Sequence, residues 1–304
     1  MTHTLLAIDL GATSGRVIRG TVGKGVLEHE VLHRFPNGPT QVGQSLHWNI
    51  SGLFDEILRG MAMVDGDVAS IGVDSWAVDY GLLHNGSLLW EPHHYRDERT
   101  EAGVDTIHQK MGHDALYARN GLQFLPFNTI YQLATEDWGG KAASADSLLL
   151  IPDLINYWLT GQAATEITNA STTGLTDVSS GAFDDELIGL SGAPRNVFAP
   201  IVEAGVSVGG LLPSVQDIVG FAAPVVTVGS HDTASAVVAA PMADDESAYI
   251  SCGTWGLVGV ETMTPIVSDA ARQANFTNER GVDGRIRFLH NVMGLWLLNE
   301  SVNY

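Results

Sequence analysis

The chain has 304 residues with 35 Asp and Glu against 15 Lys and Arg, a formal charge of −20. A nucleic-acid or anionic-membrane partner would need a basic face, so that balance argues against both and leaves acidic solubility as the simpler account. With 45% hydrophobic and 16% charged residues the sequence is core-forming rather than disordered, and its length predicts two domains or one domain and a piece.

The single cysteine, Cys252, has no intramolecular disulfide partner, which points to a reducing compartment. The N-terminus lacks a basic n-region, and no segment approaches the roughly 18 apolar residues of a membrane span. The expectation is a soluble cytoplasmic protein.

Residues 5–8 form a short apolar strand ending at Asp9, and the small-residue turn 11–15 leads into a second strand, 16–22. A third strand, 26–35, follows Gly23-Lys24-Gly25, so the chain opens as an antiparallel meander. A P-loop or dinucleotide fold would instead send its glycine turn into a helix. Backbone N–H groups of a tight Gly, Ala, Thr and Ser hairpin can still surround phosphate oxygens, with Asp9 holding Mg²⁺ through water and Arg16 adding charge at the rim. The plainer reading is an ordinary glycine-rich hairpin.

Ser51 is the expected cap of a helix with Leu53, Phe54, Ile57, Leu58 and Met61 on one face. A strand at 69–73 then reaches Asp74-Ser75-Trp76-Ala77-Val78-Asp79-Tyr80, where two carboxylates flanking an indole suggest a small polar ligand, or else a boundary Trp with solvated neighbours. The polar loop 91–100 suits hydroxyl recognition. Residues 103–159 read as mostly helical with a break at Pro126, and 148–159 as a buried helix start with Pro152 near its first turn, ended by Gly161. The Ser/Thr-rich segment 165–176 reads as a loop or an irregular helix start, 184–190 as a short helix, and 209–219 as a connector.

Val225 to Val228 form a β-branched strand, Gly229-Ser230 breaks it, and Asp232 opens an alanine-rich helix running to Pro241. Asp232 is therefore either an N-cap or a carboxylate presented to a ligand at the end of a sheet. The acidic stretch 243–246 is the expected boundary between a first domain, 1–242, and a second, 243–304. Residues 248–260 repeat the opening logic of apolar strand, Gly-Thr turn and apolar strand. Two such hairpins with a carboxylate between them suggest a bilobal fold clasping a nucleotide. Cys252 is expected to be a small buried residue.

Taken in order, Asp9 to Arg16, Asp74 to Tyr80, Tyr95 to Thr100, Phe127 to Gln132, Ser230-His231-Asp232-Thr233-Ala234-Ser235-Ala236, Gly253-Thr254-Trp255 and Asn291-Val292-Met293-Gly294-Leu295-Trp296 together resemble the FGGY carbohydrate kinases. The likeness is greatest to the branch that phosphorylates L-rhamnulose. The resemblance implies an α/β, actin-like ATPase fold of two ribonuclease-H-like lobes, and ATP-dependent phosphorylation of the ketose at its 1-hydroxyl with Mg²⁺. By similarity, Asp232 is the general base, and His231, Thr233, Ala77 and Asn291 surround the ketose. Ala12, Thr13, Ser14, Gly15 and Arg16, with Thr254 and Asn299, face the nucleotide, and Asn299 stands where relatives carry Gln. Phosphoryl transfer asks mainly for positioning and charge neutralisation plus a carboxylate to accept the hydroxyl proton. Family members continue beyond Tyr304, so the resemblance implies a complete first lobe and only the start of the second. Alternative expectations are a kinase for fuculose or xylulose, or a non-catalytic sugar-binding chain.

Overall fold

The computed structural model describes residues 2–244, 247–253, 255–295, 298, 301 and 302. Strands β1 (His3–Leu10), β2 (Ser14–Gly23) and β3 (Val26–Pro36) form the expected antiparallel meander. Leu6, Ile8 and Leu10 alternate along β1 into the core, the period-two pattern of a sheet with one face packed. Lys24 and Gly25 turn the second corner with φ of 53° and 76°, the left-handed pair that matches the twist of a hairpin.

On the other side of β1 runs the parallel strand Ser70–Ser75, reached through helix α1 (Ile50–Met61), the kind of crossover that parallel pairing requires. Ile50, Leu53, Ile57, Leu58 and Met61 are buried on one face of α1. Its cap is Asn49 rather than Ser51: Asn49 Oδ1 accepts the Gly52 N–H at 3.1 Å, and the Glu91 carboxylate takes the N–H groups of Ile50 and Ser51. A carboxylate 40 residues away satisfies the remaining orphan donors, which no local pattern announces.

Strands Pro224–Val226 and Ser207–Gly210 complete a six-stranded sheet. The expected connector 209–219 is thus the end of a strand followed by helix Pro213–Val219. Ser147–Leu150 is a strand paired with Tyr80–His84, and the helix begins only at Ile151. Leu148 to Leu150 are apolar on both faces because the strand is covered on both sides, a run that periodicity cannot separate from a buried helix. Residues 165–176, despite their polarity, are all buried.

A second sheet, in the order Ala248–Cys252, Trp255–Thr262, Ile286–Met293, Thr277–Arg280, is antiparallel throughout. Its buried cluster, Tyr249, Leu257 and Leu289, is completed by Val237 from helix Asp232–Ala239. Polar bonds tie it to the first body: Asn278 donates to Gly121 O, Asn275 accepts from Phe124 N–H, and Ser171 Oγ accepts from Arg280 N–H. Gly103, in helix Thr100–Lys110, lets that helix touch its neighbour, since a Cβ there would lie 1.9 Å from the Tyr131 carbonyl oxygen. Gly103→Ala should therefore destabilise the fold by about 1–3 kcal/mol, whereas Gly139→Ala, with nothing within 4 Å of its added methyl, should leave calorimetric unfolding nearly unchanged.

Candidate active site

Parallel pairing of β1 with Ser70–Ser75 sets Asp9 in register with Asp74 at the carboxyl ends of the two strands. The adjacent chain reaches the same edge at Ser230-His231, where Ser75 N–H donates to Ser230 O at 2.9 Å, and Asp232 follows as the first residue of its helix. Three carboxylates converge there on one cavity of about 650 Å³. The carboxyl edge of an open α/β sheet is where such crevices form.

Burial raises the Asp74 carboxyl well above its usual range, and Asp9 and Asp232 push it the same way. Asp74 Oδ1 is buried without a hydrogen-bond partner. Asp9 is also raised, chiefly by burial, against the pull of Arg16, whose guanidinium lies 2.7 Å away across the β1–β2 register. No group of three or more His, Cys, Asp or Glu side chains among the described residues is arranged to hold a metal alone. Like charges and an unpartnered buried oxygen still suit a cation that keeps its own water shell.

Asp232 is not the cap of its helix: His231 occupies that position, and Asp232 Oδ1 takes only the neighbouring Thr233 N–H at 2.6 Å and hydroxyl at 3.2 Å. Its side chain is 40% exposed, so the other oxygen is available to the cavity. The turn ahead of it is fixed by Glu166, whose Oε2 accepts from Ser230 N–H, Ser230 Oγ–H, Thr168 N–H and Thr168 Oγ–H. Burial raises the Glu166 carboxyl, and these bonds oppose the shift.

Ala12, Thr13, Ser14 and Arg16 of the first hairpin, Ala77, His231, Thr233 and Asn291 share the wall of this cavity with the three aspartates. Gly15 does not: a Cβ on it would strike the Phe35 ring at 2.2 Å, so it serves close packing of β2 on β3. Thr254 and Asn299 lie outside the described residues. The second hairpin contributes Ser251, Cys252, Gly253 and Trp255. Cys252 is exposed rather than buried, because the tip of that hairpin borders the open cavity instead of a core.

The residues around Trp76 act differently from the expectation of an indole flanked by two ligand-binding carboxylates. Asp79 turns inward and accepts from Trp48 Nε1–H, Trp76 Nε1–H, Tyr95 N–H and Gln132 Nε2–H. Between it and Ala77, Val78 sits at φ 68°, a conformation that a β-branched residue adopts only under constraint. Its carbonyl is held by Thr129 Oγ–H and Gln132 Nε2–H. The loop 91–100 is likewise structural: Glu91 caps α1, Asp97 accepts from Leu46 and Arg99 N–H, and Arg99 pairs with Glu136 at 2.9 Å. From that loop Tyr95 is the residue on the cavity wall.

Among the polar residues that the fold brings here and sequence reasoning missed, Gln123 and Glu279 make the most specific contacts. Gln123 clasps Asn291, accepting its N–H at 2.8 Å and its Nδ2–H at 3.1 Å while donating to its carbonyl at 3.1 Å. Glu279 reaches the wall beside His231 from the second sheet. Both pairings span more than 40 residues of sequence, so no spacing reveals them.

Residues 4–239 match the FGGY family of carbohydrate kinases, N-terminal domain, and residues 248–303 match its C-terminal domain. The chain belongs to the FGGY family of carbohydrate kinases. It is 45% identical over 299 residues to the rhamnulokinase of Bacillus subtilis (strain 168), covering 97% of this chain and 61% of that protein. It is 40% identical over 307 residues to the rhamnulokinase of Bacteroides thetaiotaomicron, covering 99% of this chain and 63% of that protein. The chain thus spans about three-fifths of the length of these relatives. The crystal structure of ligand-bound xylulose kinase from Lactobacillus acidophilus superposes with a TM-score of 0.85 at 16% identity, covering 98% of this chain and 62% of that one. The fold is the actin-like ATPase fold of these sugar kinases.

Asp79, buried behind Trp76 and Tyr95 of the cavity wall, gives the fold a pH signature. Burial pushes its carboxyl up to about 6, and its four donors restrain the shift. A folded-state pKa above the unfolded one means that the folded chain holds the proton more tightly. The associated stability is complete below the unfolded pKa and is lost as pH rises to about 6, above which both states are ionised. Relative to Asp79→Asn, the wild type should lose about 3 kcal/mol between roughly pH 4 and pH 6 and stay level above it, measured by denaturant unfolding across that range.

Proposed function

We propose that the protein phosphorylates L-rhamnulose at its 1-hydroxyl with ATP. The observation that carries this reading is the convergence of Asp9, Asp74 and Asp232 on one cavity bounded by two small-residue hairpins. Such an edge suits a hydroxyl nucleophile approaching a phosphate. The 40–45% identity to proteins named rhamnulokinase supports the choice of ketose.

In this reading residues 1–242 are the sugar-binding lobe and residues 243–304 belong to the nucleotide-binding lobe. His231, Thr233, Ala77 and Asn291 surround the ketose, with Gln123 orienting Asn291. Ala12, Thr13, Ser14 and Arg16 lie against the nucleotide phosphates through backbone N–H groups and the Arg16 charge, and Gly15, assigned with them by family likeness, keeps that hairpin packed on Phe35. Thr254 and Asn299 are assigned to the nucleotide by family likeness alone. Asp9, with Asp74 beside it, would hold Mg²⁺ through water, and the ion would offset charge on the phosphates. The 1-hydroxyl oxygen forms the bond to the γ-phosphorus as the bond to ADP breaks. Asp232 accepts the hydroxyl proton as the nucleophile's acidity rises, and no covalent enzyme intermediate is formed.

Asp232→Asn keeps the shape and the bonds to Thr233 but removes the proton acceptor. Turnover by active protein should fall by about 10²–10⁴-fold, while calorimetry should find ketose affinity nearly unchanged. A variant that retains most of its turnover would assign Asp232 to helix stability instead.

A further inference from the structure

His231 borders the cavity, and the charged groups facing its ring come from two bodies. Asp232 Oδ1 lies 3.6 Å from Nε2, Arg287 Nη2 lies 3.0 Å from Nδ1, and Glu279 Oε2 lies 3.4 Å from Nδ1. Arg287 and Glu279 both belong to the second sheet, whereas His231 ends a loop of the first. Arg287 is fully buried, a position held by few charged residues without a dedicated partner.

Hydrogen counting settles which neighbour owns Nδ1. A guanidinium is always protonated and donor-only, and Nη2 carries two hydrogens. One is directed at Glu279 Oε2 at 3.1 Å and the other at His231 Nδ1 at 3.0 Å. Two N–H groups cannot face each other at that separation, so Nδ1 presents a lone pair. The competing bond, from a protonated Nδ1 to Glu279, would span 3.4 Å, beyond the 2.7–3.2 Å range of good N–H···O bonds.

We propose that Arg287, anchored by Glu279, is a positioning residue that fixes His231 as the neutral tautomer with its hydrogen on Nε2. That hydrogen then points into the cavity beside Asp232, and 3.6 Å is too long for it to be spent on the aspartate. The ring is thereby a donor for an oxygen of the bound sugar, and seating of the second sheet sets the hydrogen-bonding sense of a residue on the first. The consequence for sugar binding rests on His231 being a ketose contact; the tautomer does not.

The test is nitrogen-15 NMR of histidine-labelled 304-residue chain, with the His231 signals identified by their loss in His231→Asn. The expected wild-type pattern is protonated Nε2 and unprotonated Nδ1. Arg287→Met should move the ring toward the Nδ1–H form facing Glu279 and weaken L-rhamnulose binding by about tenfold. Glu279→Gln should leave the wild-type tautomer in place, because the donor to Nδ1 remains. An Nδ1–H or doubly protonated ring in the wild type overturns the proposal, as does a folded Arg287→Met chain with unchanged tautomer and affinity. If Arg287→Met does not fold, the wild-type and Glu279→Gln spectra still decide the matter. A wild type that binds no L-rhamnulose would defeat the ketose reading while leaving the tautomer assignment to the spectra.

Discussion

Repulsion among Asp9, Asp74 and Asp232 is the constraint on which the rest of the site depends. Two strands paired in parallel bring the first two into register, and the next segment on the same edge ends one residue before the third. Burial, with the charges of Asp9 and Asp232 beside it, raises the proton affinity of Asp74, and burial raises that of Asp9 against the pull of Arg16. The arrangement persists because the strands that carry Asp9 and Asp74 are central in the six-stranded sheet and lean on a large apolar core. A site of this kind is prepared for positive charge and for proton exchange.

Around that cluster the polar framework is rigid rather than adaptive. Glu166 spends one oxygen on five donors, two of them from Ser230, to fix the turn before Asp232. Asp79 and Gln132 hold the backbone on which Val78 is strained and Ala77 meets the cavity. Strain of about 1–3 kcal/mol at one residue persists only where its surroundings over-determine it. Phosphoryl transfer depends on positioning more than on covalent chemistry, so such stiffness is what the proposed activity would require.

The meander, the helix at Asp232 and the two hairpins were legible because glycine turns and β-branched runs are local signals. Ser147–Leu150 was misread as helix because a strand covered on both faces loses its alternation. The polar segment 165–176 read as a loop or an irregular helix start, and it holds the short helix Ile167–Ala170; that it is wholly buried, with the hydroxyls of Ser171, Thr172 and Thr173 bonded to backbone carbonyls, is something composition cannot display. Asp79 and the loop 91–100 looked like ligand-binding groups for the converse reason, since nothing in the sequence shows four donors converging on one carboxylate. Gln123, Glu279 and Arg287 act only through contacts between distant segments. The order of the motifs along the chain was more informative than any one of them.

The most direct test of the central account, that this cavity is a ketose site, is calorimetric titration of the 304-residue chain with L-rhamnulose, for the wild type and for Asn291→Ala. The account predicts saturable one-to-one binding that weakens by about tenfold when the Asn291 amide is removed. Absence of binding to the folded wild type, or binding indifferent to Asn291, would contradict it.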